Sequence, residues 1–341
     1  FDHAIFLAGD DDVLRGAALT AVAYTYTYLG RPDRALAYLE QARPALDMPD
    51  TFLLAVNHLT TLTAFVWKGS VQDAMTWYYL TKRLSGSYMD LEIMADIYLG
   101  YLHYLGGSFN QAHQVFERVA LKERKLGSLA GGLSYLRIQS SIYFNARYTG
   151  NIDKAREDLR IFAAHDGGMK DSTALYDLYH AWIELEEGNY EHARDLLMNL
   201  RQVFQKGIAN RVPYAINALA EALYHLGDMK KAGRFARQCI VWNEQNGNKE
   251  QLIWSLRIMG DIYIHQEMFS RAKDVLKRAS CLARECSMKP HIAWTLKSWG
   301  DYFFKMGKKR ASIACRRRSK TLWLEMDNSY QAGKLSSKTG Q

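Results

Sequence analysis

The sequence predicts an all-α protein of about eight stacked helical hairpins, and three observations carry the prediction. Of 341 residues, 48% are hydrophobic, 23% charged and 5 are proline. That is too apolar for a disordered chain, and it favours helices over a sandwich of strands. A short motif recurs with near-constant spacing along the chain. Glycine precedes that motif at a fixed distance in most copies, as a helix C-terminus followed by a tight turn requires.

The first copy is the clearest: Tyr28-Leu-Gly-Arg-Pro-Asp-Arg-Ala-Leu-Ala-Tyr-Leu-Glu-Gln-Ala42, in which Pro32 opens a second helix. Others read Tyr104-Leu-Gly-Gly-Ser-Phe-Asn-Gln-Ala112, Tyr148-Thr-Gly-Asn-Ile-Asp-Lys-Ala155 and His225-Leu-Gly-Asp-Met-Lys-Lys-Ala232. Aligned on the alanine, the units carry Ala35, Ala74, Ala112, Ala155, Ala193, Ala232, Ala272 and Ala311, at spacings of 39, 38, 43, 38, 39, 40 and 39. Gly30, Gly69, Gly107, Gly150, Gly188 and Gly227 stand five residues before it; unit seven has Glu267 there, and unit eight has Gly307 with a turn one residue shorter.

About twelve residues before the alanine sits a small residue in six units: Ala23, Gly100, Ala181, Ala220, Gly260 and Gly300, against Leu62 and Tyr143 in the other two. Two antiparallel helices approach closely only where side chains are small. Leu39, Tyr78, Phe116, Leu159, Leu197 and Leu276, four residues after the alanine, share its helical face and fill the remaining volume. Pro213 and Pro290 are placed just before first helices, and the extra residues of unit four, at 122–132, form a bend or longer loop.

This small–aromatic–small arrangement resembles the tetratricopeptide repeat family. The period resembles its elongated variants, found in sensor arms of maltose-regulator-type bacterial transcription activators, related signalling NTPases, peptide-sensing regulators and kinesin light chains. The resemblance implies one right-handed α–α superhelix over residues 16–327, with a lead-in segment at 1–15 and a mobile polar tail at 328–341. Arg316, Arg317 and Arg318 would then face solvent on a terminal cap.

In that family the first helices line a concave groove. Position by position, the inward residues are Tyr24 and Tyr28, Thr63 and Trp67, Tyr101 and Tyr104, then Arg137, Phe144, Arg147 and Tyr148. Trp182, Asn217, Glu221, Tyr224 and His225 follow, then Trp254, Arg257, Asp261 and His265, and finally Lys297 and Asp301. The binding set expected from these is Tyr101, Tyr104, Arg137, Phe144, Arg147, Trp182, Asn217, Glu221, Tyr224, Trp254, Arg257 and Asp261. Rigid aromatics with a few charges suit a peptide, a small effector or a partner domain. Aromatics at such positions also pack between helices, and Arg137 or Arg147 can equally pair with a carboxylate of a neighbouring unit. The lysine–asparagine set that clamps a C-terminal carboxylate in some members is not recognisable.

Charge narrows the partners. The net +8 is concentrated: from Lys289 onward there are 12 basic and 3 acidic residues, leaving the preceding 288 at a net −1. The body therefore does not read as a nucleic-acid binder, and only the basic segment 305–320 offers a weak contact to nucleic acid or acidic surfaces. Four cysteines and no secretory or membrane-spanning stretch suit a cytoplasmic setting, and a start at Phe1 suits a fragment or processed chain.

Catalytic signals are not found. Residues 167–172 (GGMKDS) lack the spacing and order of a phosphate loop, and Asp10-Asp11-Asp12 is not an alternating calcium loop. The ten histidines are scattered, and Cys281 and Cys286 point to different sides of one helix, so neither metal nor cofactor is expected. The expected function is non-catalytic: a ligand-sensing or protein-interaction arm of a larger signalling or transcription-regulating protein. The alternatives are a stand-alone scaffold and, less favoured, an RNA-binding helical repeat.

Overall fold

The computed structural model describes residues 11–46, 51–127, 131–164, 172–206 and 208–335, and all regular structure among them is helical. Helix pairs follow one another as the alanine spacing predicts. The first four are α1 (Asp12–Tyr28) with α2 (Pro32–Leu46), α3 (Thr51–Lys68) with α4 (Val71–Leu84), α5 (Met89–Gly106) with α6 (Phe109–Leu126), and α7 (Gly131–Phe144) with α8 (Ile152–Ala164). In the fifth, α9 (Ser172–Glu187) faces a second helix broken into α10 (Tyr190–Leu197) and α11 (Leu200–Lys206). Then come α12 (Val212–His225) with α13 (Met229–Asn246), α14 (Lys249–His265) with α15 (Phe269–Glu285), α16 (Lys289–Lys305) with α17 (Lys309–Glu325), and a short α18 (Ser329–Lys334). The architecture is an all-α superhelix of repeats.

The repeat works as the sequence implies. Ala35, Ala74, Ala112, Ala155, Ala193, Ala232 and Ala272 are each fully buried, and Leu39, Tyr78, Phe116, Leu159, Leu197 and Leu276 four positions on are buried too. A Cβ at Gly100 would lie 2.5 Å from the Phe116 ring and one at Gly260 2.5 Å from Leu276, so the small residue seats the large one across the hairpin. In unit eight the marker is Ser312, not Ala311: Ser312 is buried and its hydroxyl donates to Gly300 O at 2.7 Å, while Ala311 is only half-buried. The turn is therefore not shortened there. Unit seven keeps the left-handed turn without glycine, Glu267 taking φ 59°.

Several boundaries shift. Asp11 caps α1 by accepting from Leu14 N at 3.0 Å, so the first helix begins at Asp12 inside the expected lead-in, whose residues 1–10 lie outside the described ones. Pro213 and Pro290 sit within the first turns of α12 and α16, where a missing N–H leaves no intrahelical bond unmade. Of the expected loop in unit four, residues 128–130 lie outside the described ones, and α6 runs to Leu126. The chain does not become a free tail at 328. Asn328 caps α18 through Gln331 N and donates its Nδ2 to Tyr148 O at 2.9 Å, and Gln331 and Ala332 are buried. Residues 336–341 lie outside the described ones.

The superhelix is closed on itself. The turn at Gly30 abuts Trp242 of α13, that at Gly69 Met288, that at Gly107 Met326, and that at Gly150 the ring of Tyr330 on α18. Asn110 Nδ2 donates to Asp327 at 3.2 Å across the same seam. Glycine is needed at these turns twice over, for φ near 70–82° and because a Cβ would strike the opposing unit. Ala112→Leu, which forces three further carbons into a filled crossing, is expected to lower stability by about 1–3 kcal/mol in urea unfolding.

Candidate functional site

Closure narrows the expected groove into a partly open pocket. Three first helices present one stripe each at helical spacing: Glu221, Tyr224 and His225 from α12, Trp254, Arg257 and Asp261 from α14, and His291, Trp294, Lys297 and Asp301 from α16. Unit four contributes through a π-helical turn at Asn145–Thr149, which buries both Arg147 and Tyr148 although they are adjacent in sequence. Together with α18 they line a cavity of about 300 Å³ that stays partly open to solvent.

The cavity is charge-balanced. Four cations (Arg147, Arg257, Lys297, Lys334) and four carboxylates (Glu186, Glu221, Asp261, Asp301) line it. Arg147 Nη2 donates to Glu221 Oε2 at 2.6 Å, Trp254 Nε1 donates to the same oxygen at 2.9 Å, and the Arg147 guanidinium lies over the Trp254 ring at 4.7 Å. Burial pushes the Glu221 carboxyl up, but Arg147 and Arg257 outweigh it and hold it below the ordinary range. For Asp261 the balance is reversed: burial outweighs Arg257 and Lys297 and raises it. Arg257 and Asp261 meet only at 3.5 Å; Arg257 Nε and Asp261 Oδ1 are buried without a well-formed hydrogen bond among the described residues, although the Ser298 hydroxyl acts on the Asp261 carboxyl from close by. Lys334 of α18 pairs with Glu186, and Asp301 takes Arg316 at 2.7 Å and Lys297 at 3.4 Å.

Tyr143, Tyr148 and His291 form the wall between this cavity and a second polar centre. Glu250, in the first turn of α14 and 3% exposed, accepts from Tyr143 at 2.8 Å and Tyr148 at 2.7 Å on Oε1, and from Tyr101 at 2.8 Å and Tyr214 at 3.2 Å on Oε2. Burial, then the Glu250 charge, raises all four phenols well above their usual range, so they remain donors. Tyr148 spends its proton on Glu250, so the His291 Nε2 at 3.0 Å is assigned as donor to the Tyr148 oxygen. Burial, with Arg257 nearby, pushes His291 down to about 3, and the ring is neutral.

Of the expected binding residues, the structure gathers Arg147, Glu221, Tyr224, Trp254, Arg257 and Asp261 around the cavity. The other six are elsewhere. Tyr101 belongs to the Glu250 centre, and Tyr104 and Phe144 stack on each other at 4.2 Å inside the helix packing. Trp182 is buried against Tyr143 at 4.5 Å, and Asn217 bridges α12 to α14 through Gln251 O at 2.9 Å. Arg137 pairs with Glu123 of the preceding unit at 2.9 Å and does not reach the cavity. Arg316, expected on a wet face, turns inward to Asp301, whereas Arg317 and Arg318 are exposed. Extending the α16 stripe two turns back from Lys297 would have found Trp294 and His291. Glu186, Glu250 and Lys334 carry no such local signal, because contacts between distant units bring them in.

Residues 18–51 match the tetratricopeptide repeat family. In structure the chain is similar to a Rap protein complexed with competence and sporulation factor, with a TM-score of 0.61 and 13% identity over 95% of this chain and 96% of that one. It is also similar to the Cut9–Hcn1 hetero-tetramer of APC/C, with a TM-score of 0.63 and 16% identity, where 100% of this chain spans 58% of that one. At these identities the likeness is one of fold. No curated protein matches the sequence.

His291 makes stability acid-sensitive. The unfolded chain takes up its proton below a pKa of about 6.5, the folded chain only near about 3, so stability falls as pH drops through that window. Urea midpoints measured from pH 7.5 to 5 are expected to decline in the wild type and to decline less in His291→Gln.

Proposed function

We propose that this chain is a non-catalytic interaction and ligand-sensing domain of a larger signalling or transcription-regulating protein, and that the partly open cavity between α7, α12, α14, α16 and α18 is where its effector binds. The observation that carries the reading is the pair of buried polar atoms, Arg257 Nε and Asp261 Oδ1, left without well-formed hydrogen bonds in a cavity lined by four cations and four anions. A buried donor and acceptor without partners are unfavourable, and a ligand that satisfies both gains what the protein alone lacks. Balanced charge favours a ligand bearing an anionic and a cationic or donor group, such as an amino acid, a very short peptide or a similar zwitterion. About 300 Å³ sets that size.

Coupling to the rest of a larger protein follows from what closes the cavity. The α18 helix is held by the Lys334–Glu186 pair and the Asn328–Tyr148 hydrogen bond, and Gln331, Lys334 and Leu335 line the space. A ligand that prefers one placement of α18 shifts its population by its differential affinity, and no more. The likeness to a Rap protein complexed with a factor supports an effector reading of this fold.

A scaffold reading is favoured by a different surface. Ile313 is exposed on α17 among Arg310, Arg317 and Arg318, over a shallow groove, and Phe304 and Leu324 are exposed nearby in sequence. The likeness to a subunit of the Cut9–Hcn1 hetero-tetramer supports assembly as a use of the fold.

Native mass spectrometry of the chain isolated from its own source separates the two. A small adduct on the wild type, reduced at least about tenfold in occupancy in both Arg257→Ala and Lys297→Ala with helical circular dichroism retained, is the expected result. An adduct-free chain whose melting temperature is unmoved by amino-acid and short-peptide mixtures contradicts the sensing reading, and a protein partner retained by both variants supports the scaffold.

A further inference from the structure

The histidines that look scattered in sequence are partly assembled by the fifth hairpin. His180 and Glu184 stand one turn apart on α9, and the chain reverses at Gly188 (φ 88°) to bring His192 of α10 beside them. His180 Nε2 lies 3.1 Å from Glu184 Oε1, and His192 Nδ1 lies 3.4 Å from Glu184 Oε2. One ligand atom from each residue lies within 4.8 Å of the others. At metal–ligand distances of about 2.0–2.1 Å, the edges of a tetrahedron are roughly 3.3 Å, so one histidine edge is already in place for either Glu184 oxygen, and the remaining edges lie within 4.8 Å. The His192 side chain is 53% exposed, so its ring has room to adjust.

We propose that His180, Glu184 and His192 bind a divalent transition metal ion, Zn²⁺ in the first instance, with a fourth position open to solvent. Two imidazoles and one carboxylate are a nitrogen-rich set that suits Zn²⁺ and its neighbours, not Mg²⁺ or Ca²⁺, which take oxygen. Glu184 is the rigid member. Its side chain is 7% exposed, and Asn189, at the turn, donates Nδ2 to Oε2 at 2.8 Å. The opposing charge is Arg156 of α8, whose Nη2 lies 3.6 Å from Glu184 Oε1. Its nearer partner is Glu187, so the metal competes with the longer of two contacts. A bound ion would tie α9 to α10 across their turn and raise the stability of the hairpin.

The test is titration of the purified, chelator-treated chain with Zn²⁺ by calorimetry and with Co²⁺ by visible absorption, alongside thermal melting. The wild type is expected to bind one equivalent, with a Co²⁺ spectrum of four-coordinate intensity and a raised melting temperature. His180→Ala and His192→Ala should each weaken binding at least about tenfold. Arg156→Ala, which removes only the competing cation, should bind equally or more tightly. No uptake by the wild type overturns the proposal. So does wild-type affinity in His192→Ala and His180→Ala, which would assign the ion to another group such as the exposed Cys281.

Discussion

The rest of this structure depends on one buried carboxylate. Glu250 has 3% exposure, and its only possible ion-pair partner within 4.0 Å among the described residues is His291, which burial keeps neutral. A carboxylate has about four lone-pair sites, and a buried one is tolerated when all are satisfied. Tyr101, Tyr143, Tyr148 and Tyr214 fill them, and the first turn of α14 adds the positive end of a helix dipole. These tyrosines come from units three, four and six, up to 149 residues away in sequence. Satisfying one charge therefore fixes where three other units stand.

A stack of hairpins linked only to its neighbours is free to vary its pitch, because each unit touches just the next. Here the Glu250 centre and the seam of turns against α13, α16 and α18 add contacts between units that are far apart. The result is a partly open pocket instead of a continuous groove. Arg147, Glu221 and Asp261 are its more deeply buried groups, so Arg147 and Glu221 interact strongly and Asp261 is pushed toward its neutral form. Both the packing of the aromatics and the chemistry of the cavity thus follow from the same closure.

What could be read in the sequence was what neighbours decide. Helix pairing, the left-handed glycines and the buried alanines are set by residues within one hairpin, and seven of the eight alanines lie where the spacing puts them. Ala311 failed because a serine with a backbone partner replaces alanine at a crossing without changing its size much. The α12 and α14 stripes, from Glu221 to Asp261, were legible because they share a helical face. Tyr101, Tyr104, Phe144, Trp182 and Asn217 were read as groove-lining on the assumption of an open superhelix, and the closure that buries them is a long-range property. Glu250 looked like any helix-start glutamate, and His180 and His192 fall outside short-range metal patterns, since a turn joins them.

The account's central claim is tested most directly by small-angle X-ray scattering of the wild type and Glu250→Ala, with far-UV circular dichroism on the same samples. The wild type should scatter as the closed superhelix, while the variant should keep its helical signal and show a larger radius of gyration as the distant units separate. An extended wild type, or a helical variant with unchanged scattering, would contradict it.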